Sequence, residues 1–240
     1  MPTEIHDVTI YRHRTIPPPD FYVTDLLPKE GLMLLFGSPK IGKSWLGQQL
    51  AFCIATGSPF LGFSTIRGKV LIAQFEIAVR AYQWRLRTQM MNHFPQLEAG
   101  SLYEMSPGQI YLDDPQVFAP FAAQVASYNP DVILIDCLQA CFGGDENNSR
   151  EVGRFIHNIE QLKNQNHASI VLIHHSRKNP SMGSFADNAR GQSRLAGWVD
   201  TLVNLEKQPQ GVKAQFMSRQ ATRELDDIRI RFVQDIFERR

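Results

Sequence analysis

Short apolar runs alternate with segments of helical period along this chain, and each run ends on glycine or a polar residue. The segment after the first run, 43–55, has Leu46, Leu50 and Ile54 at a spacing of four, which is typical of a helix. The apolar runs themselves have the length and content of buried strands. Four such strands are predicted, at 31–36, 69–75, 131–135 and 168–173.

The same reading predicts the elements between and after these runs. A short strand is expected at 101–105, and the helix at 115–128 is expected to be interrupted or kinked near Pro120. Further helices are predicted at 78–92 and 150–165, and further strands at 199–206, 212–218 and 227–233. These last strands follow each other without helices, so they predict a hairpin-rich end to the domain.

Strands separated by helices, with crossovers of about 30 residues or more, predict a mainly parallel sheet. We therefore predict an α/β fold with helices on both faces of the central sheet and an antiparallel β extension at the C-terminal end. The domain spans 21–240. An extended arm, 1–20, precedes it and ends in the stiff stretch Pro17-Pro18-Pro19.

Residues 37–44 read Gly-Ser-Pro-Lys-Ile-Gly-Lys-Ser, the pattern of a phosphate-binding P-loop between a strand and a helix. The two glycines allow backbone N–H groups to point inward at an anion, and the helix adds its positive end. The lysine supplies charge to the β- and γ-phosphates, and the serine hydroxyl is a ligand for Mg²⁺. ATP and Mg²⁺ are the predicted cofactors. The predicted nucleotide contacts are Gly37, Ser38, Pro39, Lys40, Ile41, Gly42, Lys43, Ser44 and Trp45.

Carboxylates end two of the other predicted strands. Glu76 and Asp136 come to the carboxyl edge of the sheet, where ligands of parallel sheets bind. Asp136 is predicted to serve Mg²⁺ together with Ser44, or else to cap the following turn. Glu76 is predicted to be the catalytic base, or else a solvent-facing residue that begins a helix. Asp145 and Glu146 are weaker competitors for the base.

His174 and His175 close the next strand. Adjacent residues of a strand point to opposite faces, so at most one of them faces the nucleotide. A polar side chain there could sense the γ-phosphate and relay its loss to the following loop. The sequence favours His175 and keeps His174 as the alternative.

Two groups of basic residues follow. Arg177, Lys178 and Arg190 surround the long polar loop after this strand; in a ring they would line a channel for single-stranded DNA, and in a monomer they would be solvated. Arg219 and Arg223 lie near the last strands. They could stabilise charge in a neighbouring subunit's site or be ordinary surface residues.

Composition limits the partners and metals that the chain can bind. The formal net charge is +1, so nucleic-acid contact requires a local basic cluster or repeated copies. Of the three cysteines, Cys137 and Cys141 lie four apart, but no nearby His or Cys pair completes a zinc set. There is no apolar run of membrane-spanning length and no signal-peptide core, so we expect a soluble, cytoplasmic protein with no membrane partner.

These motifs together resemble the RecA-like ATPase superfamily and, within it, the plasmid RepA-type hexameric replicative helicases, relatives of the DnaB core. The likeness runs from about residue 17 to about 232 and includes PPPDFYV before the P-loop and ARGQSRLAGWVD at 189–200. It implies a RecA-like fold and a ring, a hexamer in that family. It also implies single-stranded DNA and other replication proteins as partners.

The resemblance also assigns roles. Lys43 is implied to act on the phosphates, Glu76 to polarise the attacking water, His175 or else His174 to sense the γ-phosphate, and Arg219 and Arg223 to reach the neighbouring subunit. Two other functions stay open: a RecA-like regulatory ATPase that switches a protein partner, and a small-molecule kinase that would use the arginines of the 78–92 helix.

Overall fold

The structure, a computed structural model, describes residues 7–146, 148–175 and 193–240. The strands are β1 (Phe21–Val23), β2 (Leu27–Pro28), β3 (Leu32–Gly37), β4 (Val70–Gln74), β5 (Leu102–Met105), β6 (Val132–Asp136), β7 (Ser169–His175), β8 (Thr201–Gln208), β9 (Gly211–Ser218), β10 (Ile228–Val233) and β11 (Ile236–Arg239). The helices are α1 (Lys43–Thr56), α2 (Val79–His93), α3 (Pro115–Tyr128), α4 (Leu138–Cys141), α5 (Ser149–Asn166), α6 (Ser193–Trp198) and a 3₁₀ helix, Val8–His13.

One nine-stranded sheet organises the domain, in the order β11-β10-β9-β8-β3-β7-β6-β4-β5. The strands from β8 to β5 pair in parallel, so their carboxyl ends share one edge. From β8 onward the pairing becomes antiparallel through β9, β10 and β11. The predicted α/β fold, with a mainly parallel sheet and an antiparallel C-terminal extension, is confirmed.

The core lies on both faces of this sheet. Val171 and Ile173 of β7 pack in the cluster that contains α1, whereas Ile170 and Leu172 pack in the cluster that contains α3 and α5. This two-sided burial explains why the strands read as continuous apolar runs. Among the described helices, none is long and apolar enough to cross a membrane.

Two predicted local features are different in the structure. The arm, predicted to be extended over 1–20, forms a 3₁₀ helix at Val8–His13, which begins where the Asp7 side chain accepts a hydrogen bond from the Thr9 N–H. Helix α3 is continuous through Pro120, so the predicted interruption is wrong, whereas a kink there stays a prediction. Pro120 lies early in that helix, so only one backbone hydrogen bond is lost near its start, and buried side chains hold the rest.

The C-terminal end carries a strand that the sequence pattern did not predict. Residues Gln234 and Asp235 form a two-residue turn, both with positive φ (43° and 73°), and β11 returns along β10. Such turns usually carry Asn-Gly or Asp-Gly, so this one gives no hairpin signal. The Gln49 side chain of α1 then holds Phe237 of β11 by accepting from its N–H (2.7 Å) and donating to its carbonyl (2.9 Å).

Candidate active site

Two glycines allow the P-loop to pack against the C-terminal half of the sheet. A Cβ on Gly37 would lie 2.5 Å from the Leu205 carbonyl oxygen of β8. A Cβ on Gly42, whose φ is +98°, would lie 2.5 Å from Cζ of Phe237. Side chains are therefore excluded at both positions. The hairpin β10–β11 thus packs directly against the P-loop.

Lys43 begins α1 and turns back into the loop. Its ammonium donates hydrogen bonds of 2.9 Å to the carbonyl oxygens of Gly37 and Ser38. Burial lowers the pKa of Lys43 to about 8, although Cys137, Asp136 and Glu76 act in the opposite direction. The charge is therefore nearly desolvated and stands where phosphate oxygens would replace the two carbonyls.

Asp136 ends β6 and is buried beside the first turn of α1. The Ser44 hydroxyl donates a 3.2 Å hydrogen bond to Oδ1 of Asp136. Among the described residues, no group donates a hydrogen bond to its buried Oδ2. Burial, reinforced by the charge of Glu76, raises the pKa of Asp136 to about 6 against the lowering effects of Ser44 and Lys43. A buried carboxylate oxygen without a donor is a position that a cation would satisfy.

Glu76 follows β4 at the same edge, and the side chain of Gln74 fixes the turn that carries it. Oε1 of Gln74 accepts from the N–H groups of Glu76 (2.9 Å) and Ile77 (2.6 Å), while its Nε2 donates to the Ser106 hydroxyl (3.2 Å). The Glu76 side chain is 48% exposed, so water reaches its carboxylate. The role of Gln74 was not predictable from the sequence, because it depends on the conformation of the turn.

His175, and not His174, lies beside Glu76. Nε2 of His175 is 3.3 Å from Oε2 of Glu76, and the Cys137 thiol also donates to that oxygen at 3.3 Å. His174 points to the opposite face of β7 and is buried, and this burial lowers its pKa to about 3, so it stays neutral. The sensor role of His175 stays a prediction.

The residues at this edge fit a nucleotide with Mg²⁺. Mg²⁺ takes oxygen ligands and is usually held by one or two protein groups together with phosphates and water. Ser44 and Asp136 supply such oxygens, and Lys43 supplies the charge for phosphate. When bound, the metal would neutralise charge on the phosphate oxygens.

Comparison with known families agrees with this geometry. The sequence model of one family, described as an AAA domain (AAA_25), matches residues 2–181. The chain belongs to this family of RecA-like P-loop NTPases. A search of curated proteins found no match. Membership assigns nucleotide binding and a P-loop ATPase domain, and Mg²⁺ is the metal that such domains generally use.

The arginines predicted to act between subunits of this AAA domain lie far from its own P-loop. The Arg219 N–H bonds to the carbonyl of Asp200, just before β8 begins, whereas the P-loop follows the end of β3. Arg223 is paired with Asp25 at 3.2 Å in the same chain. Both are therefore at the opposite edge of the sheet. Of the predicted DNA-binding residues, Arg177, Lys178 and Arg190 all lie outside the described residues.

A second basic feature was missed by the sequence reading. A cavity of about 550 Å³ opens between α3, α5 and α6. Its basic lining residues are Arg150, Arg154, His157 and Arg194. The i, i+4 spacing of Arg150 and Arg154 on one helix was readable in the sequence, but the approach of Arg194 was not.

Phe232 and Phe237, two aromatic side chains of the C-terminal hairpin, were also missed, whereas the nucleotide contact of Trp45 stays a prediction. Trp45 makes an edge contact with Phe232 of the C-terminal hairpin (ring centroids 5.3 Å apart), and the Arg85 guanidinium lies 5.1 Å from the Trp45 ring centroid. Phe232 in turn lies 5.2 Å from Phe237. Arg85 of helix α2 is thus in contact with α1, whereas Arg80 and Arg87 of the same helix are exposed.

Proposed function

We propose that this AAA domain is an ATP-hydrolysing motor that acts on single-stranded DNA as a ring, in the manner of a replicative helicase or translocase. The observation that carries ATP hydrolysis is the convergence of Lys43, Ser44, Asp136 and Glu76 at one edge of the sheet. The negative charges of Asp136 and Glu76 act to raise the pKa of Lys43 against the larger lowering effect of burial, which supports this grouping.

In the proposed reaction, the N–H groups of the loop and the Lys43 ammonium hold the phosphates, and Ser44 and Asp136 would hold Mg²⁺, which would neutralise phosphate charge. Glu76 orients a water in line with the γ-phosphate and accepts its proton as the water oxygen attacks phosphorus. The γ-phosphorus bond to the bridging oxygen breaks, which leaves ADP and phosphate. His175, in contact with Glu76, is placed to respond when the γ-phosphate leaves.

A ring would explain the position of the arginines. The six-residue strand β3 separates the two edges of the sheet by about 20 Å. Arg219 and Arg223, at the far edge, are too distant to reach the phosphates of their own chain. Either could reach those of a neighbour, which supports a site completed by a second copy.

Single-stranded DNA as the partner is supported by the family resemblance and by the basic cavity. Arg150, Arg154 and Arg194 bring positive charge to one cavity, which Asp113 also lines, in a chain whose net charge is only +1. Repeated around a ring, these side chains would form a positive track for a phosphate backbone.

The DNA proposal is tested by binding a labelled oligonucleotide at two salt concentrations. Wild-type protein should lose affinity as salt rises, with a slope of about −0.7 in log–log form for each phosphate neutralised. The double variant Arg150→Ala/Arg154→Ala should bind more weakly and show a smaller slope. Arg67→Ala is the matched control, because Arg67 pairs with Glu98 on the surface (2.9 Å) away from the cavity. Equal binding by all three proteins would overturn the assignment of the cavity.

A regulatory ATPase that switches a protein partner is the second candidate, and the near-zero net charge favours it. The assembly mass, measured with and without nucleotide and single-stranded DNA, separates the two. A ring stabilised by both ligands supports the motor. A mass that responds to nucleotide and is indifferent to DNA supports the switch.

A further inference from the structure

Glu76, Cys137 and His175 bring three different metal-ligating atoms together at the carboxyl edge of the sheet. Cys137 Sγ and His175 Nε2 each lie 3.3 Å from Oε2 of Glu76, and the three atoms lie within 4.8 Å of one another. Tetrahedral Zn²⁺ with bonds of ~2.0–2.3 Å to O, N and S separates neighbouring ligand atoms by ~3.3–3.6 Å. Two of the three separations therefore already match a zinc site within a few tenths of an ångström.

Glutamine side chains fix the backbone at two of these three ligands. Gln139, two residues after Cys137, accepts from the His175 N–H (3.1 Å) and donates to the His175 carbonyl (2.9 Å). Gln74 holds the turn that presents Glu76. Buried Cys137 directly follows β6, the strand that lies between β7 and β4 in the sheet. Ligands on the ends of adjacent strands, held by such contacts, need little rearrangement to accept an ion.

The local charges also suit a divalent cation. A bound ion would meet the Glu76 carboxylate, a Cys137 thiolate and the nearby Asp136 carboxylate, while Lys43 adds one positive charge. Three negative groups then balance the ion and the lysine. A thiolate and an imidazole select Zn²⁺ over Mg²⁺, which prefers oxygen ligands such as Ser44 and Asp136.

We propose that Glu76, Cys137 and His175 form an inhibitory site for Zn²⁺, with water as the fourth ligand. Binding replaces the S–H bond of Cys137 by a zinc–sulfur bond and releases that proton to solvent, with no change of oxidation state. It engages the carboxylate of Glu76, so this residue can no longer accept a proton from water. The inhibition rests on the proposed ATP hydrolysis, whereas binding of the ion does not.

Binding is tested with Co²⁺, which takes zinc sites and reports sulfur coordination through a thiolate-to-metal charge-transfer band in the near ultraviolet. The wild-type chain, titrated without nucleotide or Mg²⁺, should show this band and saturate at one ion per chain, and Zn²⁺ should abolish it. Cys137→Ala should lack the band, and Cys141→Ala, a buried cysteine one helical turn away, should retain it. A wild-type chain without the band, or a band that Cys141→Ala loses and Cys137→Ala keeps, would overturn the proposal.

His175→Gln keeps the proposal testable if Cys137→Ala does not fold. It should retain the sulfur band while the metal dissociation constant rises at least about tenfold, and an unchanged constant would exclude His175 as a ligand.

Inhibition is measured as turnover at fixed Mg²⁺ and ATP with increasing Zn²⁺, each protein relative to its own zinc-free rate. Cys137→Ala should need at least about tenfold more Zn²⁺ for half inhibition than Cys141→Ala. A Co²⁺ band in a chain that does not hydrolyse ATP would leave the metal site standing and refute the proposed motor. ATP hydrolysis by a chain without the Co²⁺ band would refute the metal site and leave the proposed ATP hydrolysis standing.

Discussion

Replacing Asp136 with asparagine should stabilise the nucleotide-free protein, and by an amount that depends on pH. The pKa of this buried carboxyl rises from an ordinary 3.8 to about 6, chiefly because burial removes the carboxylate from water. Its folded-state pKa is raised, so the ionised form destabilises the fold. That penalty is absent well below pH 4 and complete above pH 7.

The magnitude follows from the two pKa values. At ~1.4 kcal/mol for each pH unit between them, the ionised carboxylate costs the folded chain about 3 kcal/mol at pH 8. About half of this penalty is already present at pH 5. Asparagine has nearly the same shape and does not titrate, so any packing cost of its amide is equal at both pH values. The difference in unfolding free energy between the variant and wild type should therefore be about 1.5 kcal/mol more favourable to the variant at pH 8 than at pH 5.

The assay is urea unfolding of both proteins at pH 5 and pH 8 without Mg²⁺ or nucleotide. Asp131→Asn is the control, since the Asp131 carboxylate accepts a 2.7 Å hydrogen bond from the Lys69 N–H. We expect this substitution to lower the stability of the protein. A difference in unfolding free energy between Asp136→Asn and wild type that is the same at both pH values would exclude a raised pKa of Asp136 in the folded chain. So would a variant that becomes relatively less stable at pH 8.

Three further predictions concern the phosphate loop and the base. Burial lowers the pKa of Lys43 to about 8, so the nucleotide-free site loses its ammonium charge above that pH. The affinity for ATP, measured by calorimetry, should therefore fall up to about tenfold for each pH unit above 8, and an equal Kd at pH 7.5 and 9.5 would contradict this. Phe237→Ala should lower both stability, by about 3–5 kcal/mol, and the thermal shift caused by ATP, whereas Phe216→Ala, elsewhere in the core, should lower stability alone. Gln74→Leu should reduce kcat at least about tenfold with KM nearly unchanged, because the turn that positions Glu76 loses two hydrogen bonds. A rise in KM without a fall in kcat would exclude a positioning role for Gln74.

Much of the fold and the centre of the site were predictable because their signals are local. The P-loop is contiguous in sequence, and a parallel sheet brings the ends of its strands to one edge, so Glu76 and Asp136 could be expected near Lys43. The sequence favoured His175 over His174, but the contact of His175 with Glu76 depends on strand pairing and was not readable from the sequence.

What could not be predicted depends on which strands become neighbours. Cys137 and His175 meet because β6 and β7 pair, and the apparent lack of a histidine near the cysteines in sequence concealed this contact. Phe237 reaches the P-loop through a turn that lacks the glycine by which such turns are usually identified.

We expect ATP hydrolysis at this site to depend on Glu76 and to be coupled to single-stranded DNA. Steady-state ATP turnover with Mg²⁺, measured with and without an unstructured oligonucleotide, tests it most directly. Wild-type protein should hydrolyse ATP faster when DNA is added, and Glu76→Gln should bind ATP yet lose at least about a hundredfold in turnover under both conditions. Turnover that DNA leaves unchanged, or a Glu76→Gln variant that hydrolyses ATP at the wild-type rate, would contradict the claim.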